Sequence, residues 1–121
     1  MLWEVEIRSK GRDAERERVC DEFDLLTHGQ RGGDLVSASA RGFLLEGGLS
    51  QKHAVTLTTE LLVDPLIEEV RVTTVGSPLP GKAYTVLLKP GVMDPVAQSV
   101  LETAAQLDVP VKAVRTFRRY F

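Results

Sequence analysis

Residues 83–121 repeat the opening of the chain but are too few to stand alone. Strand, Asp-capped helix and strand occur twice. Ile7-Arg8, Asp13, Val19 and Leu26 match Leu88-Lys89, Asp94, Val100 and Leu107 at a constant spacing of 81. Arg41-Gly42-Phe43 falls on Arg115-Thr116-Phe117 at a spacing of 74, the first copy carrying the longer loop. The first copy continues into a second helix and a third strand; the second does not. Two strands and one helix bury too little surface for an independent core. The last strand would also leave unpaired N–H and C=O groups at an edge. The second copy is therefore expected to add its strands to the first copy's sheet or to another chain. The chain is expected to be cut from a longer protein or to complete itself by association.

Each element has a local cause. Trp3, Val5 and Ile7 alternate with Glu4, Glu6 and Arg8, the period of a strand with one face buried and one in water. Asp13 caps a helix striped by Val19, Phe23 and Leu26. His28–Gly33 reads as a loop. In the next strand, 34–46, Val36, Ala38 and Ala40 share one parity and Phe43 and Leu45 the other, which predicts a bulge or bend at Gly42. Ser50 caps a second helix with Ala54, Leu57 and Leu61 inward, ended by Asp64-Pro65. Leu66, Val70 and Val72 mark a third strand. Gly76–Gly81 is rich in Gly, Pro and Ser and reads as a linker. Tyr84, Val86 and Leu88 alternate as a strand. Asp94-Pro95 caps and opens a helix carrying Val96, Val100, Ala104 and Leu107. A last strand follows Pro110.

These elements predict an α+β two-layer sandwich, with helices on one face of a mainly antiparallel sheet. The units are 1–76 (βαββαβ), a linker at 77–82, and a partial βαβ copy at 83–121. The predicted core is Trp3, Val5, Ile7, Val19, Phe23, Leu57, Leu61, Val70, Val86, Leu88, Val96, Val100 and Leu107.

Composition excludes several classes of function. Fifteen Lys+Arg against 17 Asp+Glu give a net charge of −2, unlike a strongly basic nucleic-acid module. One cysteine cannot form an intramolecular disulfide. The apolar runs fall far short of the ~20 residues of a membrane helix. Acidic residues at the N-terminus do not suit a signal peptide. The expectation is a cytoplasmic protein with no membrane partner.

No residue is assigned a catalytic or metal role. Cys20 lies among Asp21, Glu22 and Asp24, which disfavour its thiolate, and reads as a small packing residue. His28 and His53 are far apart and read as loop and helix-surface residues. Lys89-Pro90-Gly91 lacks the spacing of a phosphate loop, and the Asp94 carboxylate occupies the helix cap beside it. Arg115, Arg118 and Arg119 interleave with Phe117, Tyr120 and Phe121, but strand alternation puts Arg115, Phe117, Arg119 and Phe121 on one face. A solvated or partner-facing edge fits that pattern better than an RNA platform. Glu68-Glu69 and Asp21-Glu22 read as solvated acidic pairs.

The run Tyr84-Thr85-Val86-Leu87-Leu88-Lys89-Pro90-Gly91-Val92-Met93-Asp94-Pro95 resembles the opening of PurS, the small accessory subunit of phosphoribosylformylglycinamidine synthase. In that family a strand, a Lys-Pro-Gly-Val-(Leu/Met)-Asp-Pro loop and an amphipathic helix precede a strand like Val114–Tyr120. Residues 1–75 match in element order, including Glu60–Glu68, but Lys10-Gly11-Arg12-Asp13-Ala14 stands where the loop signature would be. The resemblance implies a non-catalytic subunit that dimerises through its sheets and bridges the synthetase and glutaminase subunits. In single-chain synthases, fused copies form the N-terminal region. It further implies a signature loop of Lys89, Pro90, Gly91, Asp94 and Pro95; the shared face of Arg115, Phe117 and Arg119 is the candidate interface read from strand alternation. This chain would hold no cofactor, ATP and magnesium belonging to the parent synthase. Two other classes stay open: a ferredoxin-like module sensing a small molecule near residues 89–95, and a small RNA-binding module using Arg115, Arg118 and Arg119.

Overall fold

The structure is a computed structural model that describes residues 2–28, 35–64, 66–76, 82–89 and 91–121. The 77–82 linker apart from Lys82, the 28–33 loop beyond His28, Pro65 and Pro90 lie outside the described residues. The elements are β1 (Leu2–Ser9), α1 (Ala14–Leu26), β2 (Ser39–Gly47), α2 (Gln51–Leu57) with a π-helical turn (Thr58–Leu62), β3 (Glu68–Thr74), β4 (Tyr84–Leu87), α3 (Pro95–Gln106) and β5 (Val111–Tyr120). All five strands form one antiparallel sheet in the order β3-β1-β2-β5-β4. The fold is α+β, and the second segment adds both its strands to the sheet of the first.

The first unit runs βαβαβ rather than βαββαβ. Only Gly48, Leu49 and Ser50 separate β2 from α2, too few for another strand. β1 shows how the two faces are set. Trp3, Val5 and Ile7 are buried in a core shared with Phe43, Leu45, Leu57, Leu62, Val100 and Ala104. The Trp3 indole N–H donates to the Leu49 carbonyl at 3.1 Å and ties β1 to the start of α2. The Glu4–Glu6–Arg8 face, expected in water, instead holds the buried Glu6.

β2 carries no bulge at Gly42. Its pairing to β1 is continuous from Glu46 to Arg41, and the register shifts between Glu46 and Gly47. The parity change in its sequence has another cause: both faces of β2 are covered. Phe43 and Leu45 pack under the helices. Ala40 and Gly42, on the opposite face, pair across the sheet with Arg119 and Phe117.

Several predicted core residues lie outside the core. Leu57 is buried as expected, but Leu61 is exposed and Leu62 takes the inward position. The Val63 N–H bonds Thr58 O at 3.2 Å, five residues back, and this wider turn advances the stripe by one residue. Val70 and Val86 sit on the two edge strands and are exposed. Leu88 and Leu107 follow the ends of their elements, and Val96 lies on the first turn of α3; all three are exposed. Val19 and Phe23 are half-buried and Leu26 is exposed, because α1 buries Cys20 rather than the expected stripe.

The four strands β1-β2-β5-β4 are symmetric about the β2–β5 pair. Ile7 pairs with Arg41 as Val86 pairs with Arg118, and Val5 pairs with Phe43 as Tyr84 pairs with Tyr120. The first strands of the two copies thus correspond at a spacing of 79 and the last strands at 77. Ile7 falls on Val86, not Leu88, and Arg41 on Arg118, not Arg115. Helix caps correspond at 81, so the turn before the cap is two residues longer in the second copy. Loop lengths, which sequence matching absorbs arbitrarily, account for the difference.

Candidate functional site

Each copy enters its helix through an aspartate that performs two tasks. Asp13 Oδ1 accepts from Arg16 N–H at 2.9 Å in the first turn of α1, and its carboxylate also takes Ser39 N–H at 2.7 Å and Ser39 Oγ–H at 2.5 Å. Asp94 accepts from Ala97 N–H at 3.0 Å, Thr116 N–H at 3.0 Å and Thr116 Oγ1–H at 2.7 Å. One carboxylate thus caps a helix and pins it to the returning strand in both copies. Pro95 occupies the first helical position of α3.

Burial pushes both carboxyl groups upward, but the hydrogen bonds outweigh it. Bonds from Ser39 and Arg16 hold Asp13 below its ordinary range, and bonds from Thr116 and Ala97 do the same for Asp94. Glu15 is held at about 2, chiefly by its hydrogen bond from Arg18, with Tyr120 and Arg118 adding to it. These groups bind protons less readily folded than unfolded. Their stabilisation is present above the unfolded carboxylate range, about pH 4, and is lost as pH falls toward 2. Urea midpoints are expected to fall steadily over that interval, and the double substitution Asp13→Asn, Asp94→Asn should flatten the slope.

A cleft lies at the Asp13 cap, and a second, reaching Arg41 and Phe43, occupies the related region of the second copy. The first, about 250 Å³, is lined by Ile7, Ser9, Glu15, Ser39, Arg41 and Glu68 among others. The second, about 300 Å³, is lined by Val86, Leu88, Val96, Thr116, Phe117 and Arg118 among others. Ile7 answers to Val86, Ser9 to Leu88, Glu15 to Val96, Ser39 to Thr116 and Arg41 to Arg118. The clefts differ in what borders them. The first is bordered by β3, whose Glu68 takes the Arg41 guanidinium at 2.9 Å, and both clefts are open and mostly apolar. Among the described residues the second has no strand beyond β4.

The opposite face of the sheet carries the junction between the copies. Arg119, on β5, donates to both Glu4 oxygens at 2.7 and 2.9 Å, to Glu6 at 3.3 Å and to Thr85 Oγ1 at 2.8 Å. Its guanidinium lies 4.6 Å from the centroid of the Phe117 ring. Arg8 bonds Glu6 at 3.0 Å and stacks 4.1 Å over Phe121. Arg119 and Phe117 are each only 3% exposed. Strands β1, β4 and β5 are thus joined by one ionic cluster, and two carboxylates hold the Arg119 guanidinium firmly protonated.

Of the sequence-derived interface residues, Phe117 and Arg119 are internal, and Arg115 is exposed on the same face. β5 is not an edge; β4 and β3 are. Arg118 points to the helix face, 3.8 Å from Glu15, so the three arginines form no common basic patch. In the signature loop, Val92 N–H closes a turn on Lys89 O at 3.0 Å, and Gly91 takes φ +85°, which favours glycine. Asp94 and Pro95 are placed as described above; Lys89 is exposed. Cys20 is buried, His28 is an exposed loop residue, and His53 is an exposed residue whose backbone and ring complete the cap with Ser50. Glu68, read as part of a solvated pair, is engaged by Arg41 and Asp64 N–H.

Sequence reasoning missed Glu4, Glu6 and Thr85 as partners of Arg119, and Ser39 and Thr116 as partners of the caps. Ser39 and Thr116 coincide only at the structural spacing of 77, not at the 74 of the sequence match, so the sequence offered no signal for them. Among the described residues no group of three or more His, Cys, Asp or Glu is placed to hold a metal ion, and no helix is long and apolar enough to cross a membrane.

The surface around β4 carries no charge on its strand. Tyr84, Val86 and Leu87 are exposed on an edge strand with no charged residue, and Leu88, Val92 and Met93 extend the apolar area into the signature loop. Met93 is 82% exposed. The other edge, β3, carries Glu68, Glu69 and Arg71, charges of the kind that protect an edge from pairing. No protein family, curated protein or solved structure matches the chain.

Proposed function

We propose that the chain is a non-catalytic assembly region of a phosphoribosylformylglycinamidine synthase, acting in purine biosynthesis. The parent reaction is the ATP- and glutamine-dependent amidation of formylglycinamide ribonucleotide. On this reading ATP, magnesium and glutamine are handled by the synthetase and glutaminase components, and this chain meets those components and organises them in the cytoplasm. The observation that carries the reading is the location of the family-like loop. The exposed, uncharged edge strand β4 is followed by exposed Leu88, Val92 and Met93, so the segment most similar to PurS carries a continuous exposed apolar surface. Supporting it, the charged side chains that converge, Arg119 with Glu4 and Glu6 and Asp94 with Thr116, are saturated by structural bonds.

The purified chain is expected to hydrolyse neither glutamine nor ATP, and to bind recombinant synthetase or glutaminase component in sedimentation. Val92→Asp with Met93→Asp should weaken that binding at least tenfold, since both side chains are exposed and the fold does not depend on them. Turnover by the chain alone, or no association with either component, would overturn the reading.

A further inference from the structure

The twin clefts point to what the open edge accepts. In the first copy, β3 lies antiparallel along the outer edge of β1. Val72 stands opposite Val5, Val70 opposite Ile7 and Glu68 opposite Ser9. α2 and its π-helical turn precede β3 and cover that side of the core with Leu57 and Leu62. From Glu68 a carboxylate reaches across to Arg41.

Every feature on the receiving side of that arrangement recurs in the second copy. Tyr84, Val86 and Leu88 stand where Val5, Ile7 and Ser9 stand. Arg118 stands where Arg41 does, paired with β4 through Val86 as Arg41 is paired with β1 through Ile7. What differs is the occupant. Arg118 is more than half exposed and has only a loose contact with Glu15 at 3.8 Å. The cleft beside it is mostly apolar, and among the described residues β4 pairs with β5 alone.

We infer that the outer edge of β4 is a docking site for a partner segment built like α2–β3: an amphipathic helix followed by an antiparallel strand. That strand places small apolar residues opposite Tyr84 and Val86 and a carboxylate beside Leu88, within reach of Arg118. Uncharged edge, apolar cleft and underused guanidinium specify those three features in turn. A second copy joined β4 to β4 would satisfy the backbone but would bring no carboxylate to Arg118 and no helix to the cleft. The inference rests on the internal repeat and not on the synthase reading, so each can fail without the other.

The test appends a copy of residues 48–75 to Phe121 of the full chain through a flexible Gly/Ser linker, so that docking is intramolecular. Amide exchange in Tyr84–Leu87 should slow by about tenfold or more relative to the unextended chain, and Tm should rise by several degrees. Glu→Gln at the appended counterpart of Glu68, with the native Glu68 intact, should remove part of that gain. Val86→Lys should abolish it while moving the Tm of the unextended chain little, because Val86 is exposed. Unchanged exchange in β4 would overturn the inference. So would protection that is indifferent to the appended carboxylate and to Val86→Lys, or protection that the unextended chain already gains from a concentration-dependent dimer.

Discussion

Arg119→Met is expected to destabilise the chain by about 3 kcal/mol, the cost of leaving Glu4 without its cation and Glu6 with Arg8 alone. Glu6 is nearly inaccessible and Glu4 nearly so, and Arg119 reaches both within 3.3 Å. Methionine keeps most of the contact with Phe117 but leaves two negative charges facing each other across a low-dielectric site. The loss is electrostatic, so it should be recovered in part by Glu4→Gln and Glu6→Gln on the Arg119→Met background. Denaturant melts of the four combinations check this. An additive result would mean that the cluster contributes through packing alone. Because most single domains have only about 5–15 kcal/mol to lose, the single variant should be visibly less stable at room temperature.

Gly42→Ala should be comparably damaging, at about 3 kcal/mol, although it adds one methyl group. A Cβ at Gly42 would lie 2.2 Å from the Val5 carbonyl oxygen and 2.3 Å from Phe117 Cζ. The ring can turn, but the carbonyl belongs to the neighbouring strand and cannot yield without breaking the β1–β2 ladder. Gly48→Ala, with nothing within 4 Å of the added atom, supplies the contrast and should fall within about 0.5 kcal/mol of the parent. Matching losses at the two positions would remove the claim that Phe117 lies closed over Gly42.

The contrast between those glycines shows where sequence reading reached its limit. Short-range rules found what depends on neighbours in sequence: the caps at Asp13, Ser50 and Asp94, the proline at the start of α3, and the alternation of β1. They misread β2 because Ala40 and Gly42 are small for a reason 75 or more residues away, the side chains of Phe117 and Arg119 lying over them. Leu61 was expected inward because a regular helix was assumed, and nothing in Thr58–Leu62 marks the wider turn locally. Size showed that residues 83–121 must add their strands to a larger sheet, but not whether that sheet is the first copy's or another chain's; the structure selects the first copy's. Which strand would be the edge was not legible either, because β5 pairs into the sheet interior and leaves β4 outside.

The candidate site divides in the same way. Asp13 and Asp94 were legible as equivalent caps. Their bonds to Ser39 and Thr116, 26 and 22 residues on, were not, because a hydroxyl on a strand carries no local signature. Arg119 was singled out for its charge and placed on a partner-facing edge; its partners lie more than 110 residues earlier, in β1. The loop signature gave a location, and the exposed apolar surface around it comes only from the fold.

Native-state hydrogen exchange under increasing denaturant tests the central claim most directly: one sheet binds the two copies through β2 and β5 and is open at β4. Amides of β1, β2 and β5 should converge on a single opening free energy, while the outward amides of β4 exchange by a much cheaper local opening. If β5 opened as a unit apart from β1 and β2, the two copies would be separate bodies and the account would be wrong.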